Sequence, residues 1–276
     1  MAKLSEKRLE AVSTDLVLCD IKNRIGILTF NRPEKRNALS LEMLAKLQLT
    51  LEEWVKNDSV RAVIITGSGE QAFSAGFDLQ AIPVSAEPRL LEALKNIDSP
   101  MQALEALRQF PYPTIAMLNG DTFGLALNLA LCCDIRIGAD DIKVCMPPVK
   151  LGAVYHADGI KQFVEILGMA RAKEVFFTGR VYAESEIITM GLVNRLVARD
   201  KLVSTTFAMA EEISENAPLS LKGIKKIINM IGDRSLLDEE EMSIADKLLD
   251  QGFNSQDLKE GQLAFLEKRK PKFLGY

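Results

Sequence analysis

The segment NGDTFGLALNLALCCDIR, Asn119 to Arg136, decides the fold of this chain. It follows a short β-branched run, TIAMLN (114–119), and passes through FGL (123–125) into an apolar stretch that carries Asn128. A short apolar run with turn residues at its end is typical of a buried strand, and the longer run after the glycine predicts a helix. The sequence therefore predicts a strand-to-helix turn whose first N–H groups point outward.

A second segment, FSAGFDL (73–79), follows the predicted strand AVIITG (62–67) in the same way. Its small residues Ala75 and Gly76 allow the backbone to approach a ligand closely. A helix that starts near Asp78 would add free N–H groups and the positive end of its dipole. One N–H donor from each segment would form an oxyanion hole for a carbonyl oxygen that gains negative charge.

The remaining pattern predicts repeated β-β-α or β-α units followed by helices alone. Further strands are predicted at 25–30 and 134–139, and amphipathic helices at 41–57 and 90–110. From about Ser204 onward the pattern is entirely helical. We expect a catalytic core over residues 1–203 and a helical C-terminal region over residues 204–276.

The amino-acid composition disfavours several classes of protein. The 276 residues are 47% hydrophobic, which is enough for one large core, and the net charge of −4 disfavours binding to nucleic acid or to an anionic membrane. No apolar run approaches the ~20 residues of a membrane span, and MAKLSEKRLEAV (1–12) reads as no targeting leader, so we expect a cytoplasmic protein. A single histidine predicts no metal site, and the glycine loops lack a dinucleotide fingerprint. We expect reduced core thiols at Cys19, Cys132, Cys133 and Cys145.

The two glycine segments, in this order and spacing, resemble the oxyanion-forming segments of the crotonase (enoyl-CoA hydratase/isomerase) superfamily. The family's loop beneath the CoA adenine is similar to residues 31–40. Its helix-turn-strand segment is similar to residues 168–197, and its last helix to residues 260–273. The resemblance implies an α/β fold: a crotonase (ClpP-like) spiral core of β-β-α units with a helical C-terminal extension. It also implies an acyl-CoA substrate, no separate cofactor, and homotrimers or homohexamers packed through the C-terminal region.

The resemblance also implies roles for individual residues. The oxyanion donors are the backbone N–H groups of Phe77 and Leu125. Contacts to CoA or to the substrate fall on ten positions: Lys35, Arg36, Ala38, Ala75, Gly76, Asp78, Leu79, Gly124, Pro148 and Lys268. Lys268 would meet CoA phosphates, for which a lysine supplies a compact cation.

Both carboxylates that hydratases of this family use are absent. Asn128 stands at the first catalytic glutamate and Pro148 at the second, and neither can transfer a proton. Asn128 would bond the substrate or satisfy a neighbour in the core. The run PVKLGAVY (148–155) resembles the methylmalonyl-CoA decarboxylase-like branch, in which the position of Tyr155 lies near the departing carboxylate or the enolate. In that branch a histidine stands where this chain has Phe77.

Three hypotheses follow. The first is decarboxylation of a malonyl- or methylmalonyl-type CoA, because loss of CO2 depends mainly on the oxyanion hole and needs only a weak acid afterwards. The second is an isomerase, hydratase or thioester hydrolase in which Tyr155 or His156 transfers protons. The third is an acyl-CoA-binding homologue without catalysis.

Overall fold

The computed structural model describes residues 16–78, 100–232 and 239–272. Its strands are β1 Val17–Lys22, β2 Ile25–Phe30, β3 Ala62–Gly67, β4 Ala72–Ser74, β5 Thr114–Leu118, β6 Asp121–Phe123, β7 Ile135–Ala139, β8 Lys143–Cys145, β9 Val181–Ala183 and β10 Arg195–Val197. Its α-helices are α1 Leu41–Asn57, α2 Pro100–Arg108, α3 Leu125–Cys132, α4 Ala157–Leu167, α5 Met169–Thr178, α6 Ser185–Thr189, α7 Leu202–Glu215, α8 Pro218–Gly232, α9 Glu239–Phe253 and α10 Gln256–Leu266.

The strands form two sheets, and the chain crosses repeatedly from one to the other. A six-stranded sheet has the order β1-β2-β3-β5-β7-β10, and a four-stranded sheet has the order β4-β6-β8-β9. Each of β3, β5 and β7 in the first sheet is followed directly by β4, β6 or β8 in the second. These successive pairs are the turns of a spiral of β-β-α units, which confirms the α/β crotonase fold expected from the sequence.

Most predicted elements are confirmed, with small changes at their ends. Strand β5 stops at Leu118 because the side-chain amide of Asn119 bonds the backbone of Gly67 and Gly69 instead. Strand β7 begins after Asp134, whose carboxylate accepts hydrogen bonds from Thr114. Of the helix predicted at 90–110, residues 100–108 are helical, while 90–99 lie outside the described residues.

The expectation that all four cysteines are core residues was wrong for one of them. Cys132, Cys133 and Cys145 are buried, and all four thiols are free. Cys19 is exposed because it lies on β1, an edge strand in which every residue after Val17 is exposed. Its thiol nevertheless contacts the hydroxyl of Thr50 at 3.5 Å.

The C-terminal region is helical from Leu202, two residues earlier than predicted. Helix α7 packs across β3, β5 and β7, and α8 is tied to the same sheet by Lys225, whose ammonium donates to Asp134 at 2.7 Å. The opposite face of α8 exposes large apolar side chains, at Leu219, Ile224, Ile227, Ile228, Met230 and Ile231. No helix within the described ranges is both long and apolar enough to cross a membrane.

Candidate active site

Sheet pairing brings the two glycine segments together. Strands β4 and β6 are parallel neighbours, with Ala72 opposite Asp121 and Ser74 opposite Thr122. The segments that leave their carboxyl ends therefore run side by side. At Gly76, which has a φ of +94°, a Cβ atom would lie 2.5 Å from the carbonyl oxygen of Phe123 and 3.4 Å from the nitrogen of Leu125. Only glycine permits this contact.

Two backbone N–H groups at this contact have no acceptor within the part of the chain that the structure describes: those of Phe77 and Leu125. Their neighbours are bonded, since Gly76 donates to Ser74 Oγ and Asp78 donates to the carbonyl of Leu39. The two N–H groups predicted as oxyanion donors are thus available to a ligand. Backbone donors fixed in this way stabilise a developing oxyanion without reorganisation.

The loop over residues 31–40 is bonded along its length to FSAGFD. Arg32 donates two hydrogen bonds to the carboxylate of Asp78, each 3.1 Å long, and a third to the carbonyl of Ala38. Backbone bonds join Ala75 to Arg36 and Leu39 to Gly76. The structure therefore groups the predicted contact residues Ala38, Ala75, Gly76 and Asp78.

The basic residues predicted to meet CoA lie on the surface. Lys35 and Arg36 are exposed at the end of a short 3-10 helix, Pro33–Lys35. Lys268 is exposed after α10, with a φ of 54°, and no described contact joins it to Lys35 or Arg36. Leu79 lies outside the described residues.

Asn128 is the centre of a buried hydrogen-bond network. The Tyr155 hydroxyl donates to Asn128 Oδ1 at 2.9 Å, and Asn128 Nδ2 donates to Gln162 Oε1 at 2.5 Å. The thiol of Cys132 donates to the same Gln162 oxygen at 3.0 Å. Asn128 is completely buried, so its amide is bonded to core neighbours on both sides. Whether it also meets the substrate stays a prediction.

The local fold holds this network close to Leu125. Asn128 follows Leu125 by three residues on α3, so the two share one face of the helix. The ring of Tyr155 packs on Gly159 of α4, where an added Cβ would lie 2.4 Å from a ring carbon. It also packs against Phe176, with 5.7 Å between ring centroids. Gly159 thus provides the space that lets Tyr155 reach Asn128.

Every group in the network is neutral near pH 7. Burial raises the pKa of the Tyr155 hydroxyl well above its usual value, because a phenolate there would lose its hydration. Burial raises the pKa of the Cys132 thiol to about 12 for the same reason, partly offset by the bond to Gln162. Tyr155 and Cys132 therefore keep their protons and act as donors.

Two other predicted site residues lie apart from the network. His156 is exposed and precedes the first residue of α4, and its side chain makes no capping hydrogen bond. Pro148 is buried at the start of a 3-10 helix, Pro148–Leu151, and α10 packs against that helix. At Gly261 of α10, a Cβ would lie 2.3 Å from the carbonyl oxygen of Leu151.

A cavity of about 260 Å³ opens between α2, α3 and α4. Asn128, Cys132, Gly159 and Gln162 form its polar wall, and Met101 and Leu104 add apolar surface. Charged residues complete the lining: Asp158 and two ion pairs, Glu105 with Arg108 and Lys161 with Glu165. Such a cavity next to fixed polar groups is a candidate acyl site. Nowhere in the described ranges do three His, Cys, Asp or Glu side chains group as metal ligands would.

Sequence reasoning missed Gln162 and the role of Cys132. In sequence, Gln162 reads as a polar position of an amphipathic helix and Cys132 as one of two adjacent core cysteines. Only the packing of α4 on α3 shows that Gln162 bonds Asn128, 34 residues away, and that Cys132 donates to the same Gln162 oxygen. A glutamine that follows Gly159 by three residues, on the same helix face, is the one available signal.

Comparison with known proteins shows similarity to one family over most of the chain. Residues 20–275 match the family described as enoyl-CoA hydratase/isomerase. The methylmalonyl-CoA decarboxylase of Escherichia coli is 31% identical over 256 residues, covering 92% of this chain and 96% of that protein. A short-chain-enoyl-CoA hydratase of Clostridium acetobutylicum is 31% identical, covering 92% and 95%. A structure of methylmalonyl-CoA decarboxylase in complex with 2-nitronate-propionyl-CoA superposes with a TM-score of 0.85 at 30% identity, covering 95% and 99%.

Proposed function

Because the chain belongs to the enoyl-CoA hydratase/isomerase family, it is an acyl-CoA enzyme, and we propose that it decarboxylates a malonyl- or methylmalonyl-type CoA thioester. The observation that carries this proposal is the bond from Tyr155 to Asn128. Tyr155 is a neutral donor and Asn128 a neutral acceptor, and the family resemblance gives position 128 as the place where a hydratase has a carboxylate. The E. coli relative named methylmalonyl-CoA decarboxylase adds support.

The proposed reaction uses the backbone first. The N–H groups of Phe77 and Leu125 bind the thioester carbonyl oxygen and stabilise the negative charge that develops on it. The bond between the α-carbon and the carboxylate breaks, its electron pair forms the enolate, and CO2 leaves. The hydroxyl of Tyr155 then gives its proton to the α-carbon, and solvent returns a proton to the phenolate.

A neutral side chain at position 128 favours this reaction over hydration. A carboxylate about 4 Å from the substrate carboxylate would cost on the order of 4 kcal/mol at an effective dielectric of 20. Asn128 removes that repulsion. The raised pKa of Tyr155 does not prevent proton transfer, because the enolate carbon is a far stronger base than a phenolate.

The rest of the predicted site enters the same proposal. Lys35, Arg36 and Lys268 bind the phosphates of CoA, and the grouped residues beside Gly76 line its path. The apolar face of α8 packs against further copies of the chain in a homotrimer or homohexamer. The cytoplasm is the proposed compartment, since the three buried cysteines are free thiols.

The test incubates the purified protein with malonyl-, methylmalonyl- and crotonyl-CoA in deuterated water, followed by mass spectrometry. We expect loss of CO2 from the first two, with one deuterium at the α-carbon, and no addition of water to crotonyl-CoA. Hydration of crotonyl-CoA without release of CO2 would overturn the proposal. Binding of all three without turnover would point to a non-catalytic homologue.

A pair of tyrosine variants tests the role of the hydroxyl. Tyr155→Phe removes the proton donor, and we expect turnover to fall by roughly 10²- to 10⁴-fold. Tyr112→Phe is the matched control, because its hydroxyl also donates one hydrogen bond, to Asp58 at 3.0 Å, outside the network. Equal turnover in the two variants would remove Tyr155 from the mechanism.

A further inference from the structure

In the network around Asn128, the geometry determines which group donates and which accepts in each hydrogen bond. Gln162 Oε1 accepts hydrogen bonds from two donors: the thiol of Cys132 and the amide nitrogen of Asn128. With its nitrogen turned to Gln162, Asn128 must present Oδ1 to Tyr155. An amide has one oxygen and one nitrogen, so fixing one end fixes the other.

From this we infer that Gln162 is a positioning residue, which holds the Asn128 amide in the one orientation that makes the Tyr155 hydroxyl a hydrogen-bond donor. Gln162 acts through Asn128 and touches neither Tyr155 nor, in our proposed mechanism, the reacting carbon. Cys132 supports it by donating to the same oxygen, which orients the Gln162 amide in turn.

The orientation matters to the proposed decarboxylation, on which this inference rests. A Tyr155 proton free to turn would bond the substrate carboxylate and stabilise the ground state, which opposes loss of CO2. With the proton held on Asn128 Oδ1, the Tyr155 hydroxyl does not donate to the carboxylate. After CO2 leaves, the hydroxyl turns about its C–O bond and gives the proton to one face of the enolate.

The packing of α4 on α3 makes Gln162 the residue able to do this among those that the structure describes. Gln162 lies one helical turn after Gly159, the residue over which Tyr155 packs. It is 8% exposed, and it lines the cavity beside Asn128. The same face of α4 thus carries the space for the tyrosine ring and the acceptor for the asparagine amide.

A substrate-free measurement tests the inference directly. The intensity ratio of the tyrosine Fermi doublet in ultraviolet resonance Raman spectra differs between a donating and an accepting phenol hydroxyl. Subtracting the spectrum of Tyr155→Phe isolates Tyr155 from the other three tyrosines. We expect a donor signature in the parent protein and its loss in Gln162→Met, read against the double variant Gln162→Met/Tyr155→Phe.

Two further variants separate loss of the Gln162 acceptor from a general disturbance of packing. Gln162→Glu keeps an oxygen acceptor, so it should restore the donor signature even if the methionine variant packs poorly. Gln48→Met is the matched control, since the Gln48 amide bonds Glu52 on α1, away from the network. An accepting Tyr155 in the parent protein, or a Tyr155 signature unchanged in Gln162→Met, would overturn the inference.

The stereochemistry of the product gives the second readout. Methylmalonyl-CoA decarboxylated in deuterated water yields propionyl-CoA that is chiral at the α-carbon. We expect one configuration from the parent protein, and a mixture with at least tenfold lower kcat and nearly unchanged KM from Gln162→Met. A parent protein that releases no CO2 overturns the proposed function, while the Raman comparison still decides the role of Gln162.

Discussion

Tyr155 donates its hydroxyl to Asn128 across 2.9 Å, although 27 residues separate them in the chain. The bond joins Tyr155, two residues before the start of α4, to the middle of α3, three residues beyond Leu125. Through it, a side chain that can give a proton lies next to the helix start that offers a free N–H. Charge at this position should therefore decide which acyl groups react.

Asn128→Asp tests that statement. The carboxylate keeps an acceptor for Tyr155 but adds a negative charge, worth on the order of 4 kcal/mol at 4 Å from a substrate carboxylate. We expect kcat/KM for methylmalonyl-CoA to fall by about 10³-fold, measured by CO2 release. Asn216→Asp is the control, because Asn216 lies at the exposed end of α7. Equal losses in both variants would contradict the electrostatic argument.

The dependence of kcat on pH separates Tyr155 from His156 as the proton donor. Burial raises the pKa of Tyr155, so its hydroxyl stays protonated at neutral and mildly alkaline pH. We expect kcat to be flat from roughly pH 6 to 9, whereas proton transfer by a histidine would make kcat depend on pH in the physiological range. His156→Ala should leave the profile unchanged. A limb near neutrality that disappears in this variant would favour His156.

The same raised pKa predicts how stability depends on alkaline pH. The folded chain keeps the Tyr155 proton, while the unfolded chain releases it above roughly pH 10. The contribution is therefore fully present below about pH 10 and is lost as pH rises further toward the folded pKa. Urea unfolding at increasing pH should show a steeper decline for the parent protein than for Tyr155→Phe. Parallel curves would contradict the burial of the hydroxyl.

The rate at which each cysteine reacts should depend on the exposure of its thiol. Cys19 is exposed, although partial desolvation raises the pKa of its thiol. Cys132, Cys133 and Cys145 are buried, and burial raises the pKa of Cys132 to about 12 and that of Cys133 as well. We expect one fast reaction with Ellman's reagent at mildly alkaline pH, abolished by Cys19→Ser, and further thiols only after unfolding. Fast reaction of a second thiol in the native protein would contradict the burial of the other three cysteines.

The ion pair between Asp134 and Lys225 predicts an asymmetry in stability. Asp134→Ala leaves a buried ammonium without its carboxylate, which should lower the free energy of unfolding by about 3 kcal/mol. Lys225→Met leaves Asp134 bonded to the backbone and hydroxyl of Thr114, so the loss should be about 1 kcal/mol. Urea denaturation measures both. Equal losses would mean that the ammonium is not desolvated.

Assembly should depend on the apolar face of α8. Ile224, Ile227, Ile228 and Ile231 recur at three- and four-residue spacing, and each is more than half exposed. We expect Ile228→Asp to shift the protein to a smaller species in light scattering without loss of helical circular dichroism. Lys226→Asp, on the same helix, is the control. Unchanged mass in Ile228→Asp would exclude this face from the interface.

The sequence predicted the layout of the site better than its bonds. Gly76 and Gly124 follow predicted strands at fixed distance, and parallel pairing then brings their segments together. The bond between Arg32 and Asp78 spans 46 residues, and that between Asn128 and Gln162 spans 34. Such pairs depend on how helices rotate and pack, which composition and periodicity do not encode. The exposure of Cys19 likewise follows from its place on an edge strand.

The contact between Gly76 and the turn at Phe123 determines which positions of the site tolerate substitution. The groups proposed to hold the enolate are peptide N–H groups, which every residue except proline possesses. Substitution at position 77 or 125 therefore leaves the anion trap in place, while the surrounding side chains are free to change the reaction. The side chains of Phe77 and Asn128 can therefore differ without removal of either N–H group. The residue that cannot be replaced is Gly76, because any side chain there would push apart the two segments that carry these N–H groups.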